Sequence, residues 1–170
     1  QEDRIVPALI QPILLVLQEF RLVDMMHGAV SLDNMFLSGT QGAETAMLGE
    51  CLSTAAFFRL HTLYETIDRG MAQNSGRGAG TVKDDLYALG MCVAMVVRGV
   101  NLMAGKTGPE IVAAKMVAGS YSFANGGQRL PSGISDFLRG VLTDDEAQRW
   151  YLDEALRWEE GRRIPTKQQY

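Results

Sequence analysis

The sequence has no basic surplus. Lys and Arg number 16 against 20 Asp and Glu, a formal net charge of −4 over 170 residues. A general nucleic-acid binder ordinarily carries excess positive charge on at least one face, so nucleic acid is not an expected partner. Cysteine is scarce: Cys51 and Cys92 stand far apart and form neither a disulfide framework nor a CxxC metal pair. That usage fits a reducing, cytoplasmic setting. Long hydrophobic runs are missing as well. The uncharged stretch Leu86 to Val97 falls short of the ~20 residues a membrane span needs. Leu9 to Leu17 is shorter still and contains Gln11 and Pro12. Both read as helices buried on most sides, and no membrane span is expected. The chain opens at Gln1 without an initiator Met or signal-type leader, which reads as a piece of something longer.

What is present is ordinary for a globular protein. Hydrophobic residues make up 46% and charged residues 21%, which excludes a disordered chain, and the length suits one domain spanning residues 1–170. Ile10, Ile13, Leu14, Leu17, Phe20 and Val23 recur at helical spacing and predict a helix over about 7–25, with Pro12 implying a kink or a late start. Residues 27–37 are apolar without helical period. With the turn signals at 38–42 and an extended candidate at 45–48, they predict short strands around a turn. Phe57 to Tyr64 is a candidate short helix, and the glycines of 70–80 predict a loop. Thr81 with Asp84 forms a capping box opening the most apolar helix, which ends at Gly99. Further helices are expected over 109–118, 134–142 and 151–160, with Thr143 and Glu146 as another capping box. The fold class is mainly α with little strand.

Most single motifs have a plain structural reading. Gly105-Lys106-Thr107 lacks the glycine a phosphate loop needs at Val100, and it follows a helix rather than a strand. The glycines at 76, 78 and 80 read as a flexible loop. His27 and His61 have no second ligand at metal spacing, so no metal is expected. Asp84-Asp85 and Asp144-Asp145 stand at expected helix starts, where the helix dipole favours carboxylates.

Taken in order, the motifs say more. His27-Gly28-Ala29-Val30-Ser31-Leu32-Asp33-Asn34, followed by Met35-Phe36-Leu37, resembles the catalytic loop of protein kinases, His-Arg-Asp-Leu-Lys-Pro-Glu-Asn and apolar residues. Asp85-Leu86-Tyr87-Ala88-Leu89-Gly90 is similar to the start of the family's central buried helix. Leu142-Thr143-Asp144-Asp145-Glu146-Ala147-Gln148-Arg149 resembles its closing Leu-x-x-Asp-Pro-x-x-Arg segment. The resemblance covers nearly the whole chain as a C-lobe, a helical bundle with a few short strands. It places an activation-segment-like region at about 52–80, and the nucleotide-binding N-lobe is absent.

The departures from that pattern fall on the chemistry. Phosphoryl transfer is mainly positioning and electrostatics. By resemblance, the catalytic Asp falls on Ala29, the γ-phosphate Lys on Ser31 and the metal-binding Asp on Gly49. Asn34 alone matches a magnesium ligand, and as a turn residue it can also bond the local backbone. Losing one catalytic group costs about 10²–10⁴-fold in rate, and several are absent together. The resemblance therefore implies a pseudokinase C-lobe with no catalytic residues, no cofactor and no expected ATP binding, acting as a signalling scaffold or regulatory interaction module. The alternative is an enzyme with rewired residues on the same fold, transferring a nucleotidyl or other group with help from an upstream N-lobe. An unrelated helical bundle is a third reading. Asp85 is expected to accept hydrogen bonds from the catalytic-loop backbone. Arg149 matches an arginine that normally pairs with a Glu, for which Glu65 is the nearest acidic candidate. Ser53, Thr54, Thr62, Tyr64 and Thr66 supply hydroxyls in the activation-segment-like region, none of them marked as a phosphosite.

A partner surface is expected on the helix over 109–118. Residues four apart share a face, so Val112 and Met116 form one stripe and Ile111 and Lys115 its neighbour. The lysine marks its own stripe as the solvent side. Ile111 and Lys115 are therefore expected to meet a protein partner or a second copy of the chain.

Overall fold

The computed structural model describes residues 2–161 except Thr54 and Arg59. The hydroxyl of Thr54 and both ends of the expected 1–170 domain lie outside the described residues. The fold is 55% helix and 5% strand, which makes it mainly α.

The chain enters through α1 (Glu2–Ile5), a π-helical turn (Val6–Ile10) and α2 (Gln11–Leu22). Pro12 accounts for the widened turn. It has no N–H to donate, and its ring crowds the carbonyl four residues back. The turn before it relaxes to a longer bond, Gln11 N–H to Val6 O. The stretch Asp3–Leu22, mean hydropathy 1.5, is thus a continuous helical run of 20 residues, long and apolar enough by length and composition to cross a membrane. The late start at Pro12 that the sequence allowed does not occur, and the proline shows itself as the widened turn before it. Ile10, Ile13, Leu14 and Leu17 along it are fully buried in the core.

A hairpin follows, β1 (Met35–Ser38) antiparallel to β2 (Thr45–Leu48), with Met35 opposite Leu48 and Ser38 opposite Thr45. The segment expected to form a helix over 57–64 is instead a turn and a single 3₁₀ turn at Thr62–Tyr64. The expected 70–80 loop begins inside a short helix, α3 (Ile67–Met71), capped by the Thr66 side chain.

The core is built around α4 (Val82–Arg98). The Thr81–Asp84 capping box opens it and Gly99, in the left-handed region, closes it. Leu86 through Ala94 are all fully buried, as expected for a helix apolar on every side. The other helices are α5 (Gly108–Ala118), α6 (Ser120–Asn125), α7 (Ser132–Leu142) and α8 (Leu152–Glu159). Helix α7 lies close on α4, where a Cβ at Gly90 would sit 2.7 Å from Val141.

One expected cap fails here, and one helix forms that the sequence did not announce. Thr143 and Glu146 do not cap a helix: the Thr143 hydroxyl donates back to the Arg139 carbonyl, and Asp145 organises a turn by accepting from the Ala147 N–H. Helix α6 has no sequence signal. It exists because Asp144 accepts from both the backbone N–H and the hydroxyl of Ser120, satisfying its first turn from outside.

Helix α5 also turns the other way. Ile111 and Lys115 are both fully buried, Val112 is nearly so, and Met116 is 56% exposed. The Lys115 ammonium does not reach solvent because the protein supplies its acceptors. It donates to Leu63 O at 2.7 Å, Glu65 O at 2.8 Å and Thr62 O at 3.3 Å, and it lies 5.0 Å from the Tyr87 ring centre. Ile111 and Lys115 are therefore not a partner surface. The exposed apolar residues of α5 are Met116 and Val117.

Candidate functional site: a latched loop at the start of α4

The loop from His27 to Asn34 is held by one buried carboxylate. Asp85, in the first turn of α4, accepts from His27 N–H through Oδ2 and from Gly28 N–H through Oδ1, both at 2.8 Å. Burial pushes its carboxyl up to about 7 against the pull of those two N–H groups. His27 is spent on the same loop. Its Nδ1 accepts from Ala29 N–H at 3.2 Å, which leaves Nε2 as the donor to Gly49 O at 3.1 Å. Burial lowers its basicity, favouring this neutral tautomer.

Gly28 sits at φ +72, and a Cβ there would meet Ala56 at 2.5 Å. Glycine suits it on both counts, and its carbonyl accepts from Phe57 N–H at 2.8 Å. Ala29 presents only a methyl group. Ser31 is buried, and no side-chain cap bond forms from it. Asn34 is engaged on the backbone: its Nδ2 donates to Ala29 O at 3.0 Å and to Glu50 O at 3.1 Å. A side chain at Gly49 would have to overlap Asn34 Oδ1, so the position has no room for a carboxylate while Asn34 holds this bridge. Glu50, next in line, turns its exposed carboxylate to its own turn. It accepts from Leu52 N–H, Ser53 N–H and the Ser53 hydroxyl, which hold its pKa below the ordinary value.

The structure thus brings His27, Gly28, Ala29, Asn34, Gly49 and Asp85 together. Arg149 is separate. It is buried, donates from Nε to Thr143 O at 2.9 Å and faces Asp84 at 3.9 Å. Glu65 is not its partner: that carboxylate pairs with Arg77 at 2.9 Å. Among the described residues no group of three or more His, Cys, Asp or Glu side chains is placed to hold a metal ion.

Beside the loop, the hairpin leaves large apolar side chains in water on both of its faces, since neighbours along a strand point opposite ways. Phe36 is 59% and Leu37 74% exposed. With Ile5, Leu9, Met35 and Val96 they line a cavity of about 470 Å³, whose rim carries the Arg4–Glu44 ion pair. Sequence reading missed the Lys115 clamp and the Glu65–Arg69–Arg77 cluster. A lysine inside an apolar run was the available signal for the first, and nothing in the sequence joins the three charges of the second.

No protein-family model matches the chain, and no curated protein matches it.

Proposed function

We propose that this chain is a kinase-like C-lobe whose catalytic positions have been given over to packing, and that it works as a protein-interaction or regulatory module without transferring phosphate. The observation that carries the reading is the Asn34 bridge. Its amide N–H groups are committed to two backbone carbonyls, and its oxygen occupies the space a carboxylate at position 49 would need. Ala29 has no proton acceptor to offer a hydroxyl nucleophile. The carboxylate latch from α4 to the loop supports the kinase-like reading of the frame. The exposed apolar side chains of the hairpin support an interaction role: Phe36 and its cross-strand partner Met47 are both left in water, and such adjoining side chains mark contact surfaces.

The test is a radiolabelled phosphate-transfer assay with ATP and magnesium on the purified chain. No transfer above buffer is expected, and Asn34→Ala should change nothing. Magnesium-dependent transfer that disappears in Asn34→Ala would favour the enzyme reading instead. The interaction role is read by sedimentation velocity: Phe36→Asp should reduce association of the chain with itself or with a co-purifying partner. Sedimentation unchanged by that substitution would count against the hairpin surface.

A further inference from the structure

Burying a guanidinium without a counter-ion is costly, and folded proteins ordinarily pair such a charge. Arg69 breaks that pattern. It is 9% exposed, and no carboxylate comes within 4.0 Å of it among the described residues. One guanidinium nitrogen donates to Arg77 O at 3.0 Å, and Nε has no hydrogen-bond partner. The group lies over the Phe57 ring, 4.6 Å from its centre. Neighbouring Arg77 is held by Ala72 O and by the Glu65 carboxylate. The Glu65 carboxylate forms its ion pair with Arg77 and also feels the Arg69 charge, so one carboxylate faces two guanidinium groups and the three-residue cluster keeps one positive charge.

Both arginines open onto a cavity of about 300 Å³, whose other walls include Met26, Ala56, Phe57 and Phe58. No acidic residue lines it among the described residues. Arg69 and Arg77 also line a second cavity together with Asp68, Asp84 and Glu146, none of which forms an ion pair with Arg69. In a chain of net charge −4, two arginines with aromatic and aliphatic walls stand out. Phe57 itself holds a left-handed backbone, φ 63, uncommon for a bulky side chain.

We propose that this cavity binds an oxyanion, phosphate or carboxylate, borne on a ligand with an aromatic or apolar body. The oxyanion meets the Arg69 and Arg77 guanidinium groups, whose planar forks suit such oxygens. The body lies against Phe57 and Phe58. The inference is independent of the kinase-like reading, since it uses none of the loop residues from His27 to Asn34.

Isothermal titration calorimetry at low ionic strength tests it, with phenyl phosphate and inorganic phosphate as probes. Saturable binding is expected for both, tighter for phenyl phosphate. Arg69→Gln should weaken phenyl phosphate by about tenfold or more, the scale of one lost charged hydrogen bond. Ala79→Glu places a carboxylate on the exposed wall of the same cavity. It should abolish binding while the melting temperature holds or rises. That variant decides the question if Arg69→Gln fails to fold. Absence of saturable binding by either probe, or unchanged affinity in Ala79→Glu, overturns the site. Inorganic phosphate binding as tightly as phenyl phosphate overturns the part of the proposal that assigns an apolar body.

Discussion

Asp85 and Lys115 solve the same problem with opposite charges. Asp85 draws two backbone N–H groups of the 27–28 loop onto the start of α4. Lys115 draws three backbone carbonyls of the 62–65 segment onto α5. Both charges are fully buried, and each replaces regular secondary structure as the partner for an irregular stretch of main chain. The difference lies in what surrounds them. The Asp85 loop closes on itself through His27 and Asn34. The Lys115 segment runs on to Glu65, Arg69 and Arg77, where Glu65 Oε1 and Arg69 Nε lack partners. One region is satisfied and the other is open.

The largest effect that would sharpen this comparison is on α5. Ile111→Asp places a carboxylate at a fully buried site beside the Lys115 clamp and should cost about 4 kcal/mol or more, enough to unfold a marginal domain. Met116→Asp, on the exposed side of the same helix, should stay within about 0.5 kcal/mol. Urea melts of the two variants check this, and equal midpoints would refute the orientation of α5.

Next come the two latches. Asp85→Ala leaves two buried N–H groups without an acceptor, and Lys115→Met leaves carbonyls without a donor. Each should cost about 2–4 kcal/mol. Hydrogen exchange separates them: Asp85→Ala should expose amides in 27–34, and Lys115→Met those in 62–77. A variant that loosened both segments equally would show that the latches are not local.

Gly49→Asp should follow at about 1–3 kcal/mol, because the new side chain displaces the Asn34 bridge. Pairing it with Asn34→Ala should recover part of the loss. Additive costs in that double variant would mean the two positions do not share the space.

The last test is the pH dependence. Burial raises Asp85 from 3.8 to about 7, so the folded state holds this proton more tightly than the unfolded chain. Its contribution is present below the unfolded value and is lost as pH rises through about 7. Lys115 is lowered from 10.5 to about 7, with Asp144 and Glu65 opposing the burial. Between about 7 and 10.5 the unfolded chain binds the extra proton, so this group makes stability rise with pH. Together the two latches predict a stability minimum near neutrality. Asp85→Asn should flatten the acid limb and Lys115→Met the alkaline limb; a melting-temperature profile in which neither limb changes would refute the assignment.

The Asp85 latch was legible because the resemblance to the kinase catalytic loop named its partners, N–H groups 57 and 58 residues earlier in the chain, and local signals marked only the place of the carboxylate. Thr81, Asp84 and Gly99 mark the ends of α4, its apolar run marks burial, and Asp85 falls in the first turn, where a carboxylate has a reason to be. The Lys115 clamp was not. Ile111, Val112, Ala113, Ala114, Met116, Val117 and Ala118 are apolar on every side, so the only polar residue among them seemed to mark the solvent face. Its ammonium instead faces carbonyls fifty residues earlier in the chain, and spacing along one helix carries no information about them. The same limit hid α6, whose first turn is satisfied by Asp144 from another segment, and left Thr143 and Glu146 looking like a cap.

Sequence alone determined where most of the long helices begin and end, that α4 is buried, and that the hairpin is short. Those properties follow from residue types and their spacing within a few turns of chain. Tertiary structure decided which face of α5 turns inward, which acid meets Arg149, that Asn34 fills the space beside Gly49, and that Arg69 is buried without a counter-ion. Each of these depends on which distant group satisfies a buried charge or amide, and that pairing is set only when the helices pack.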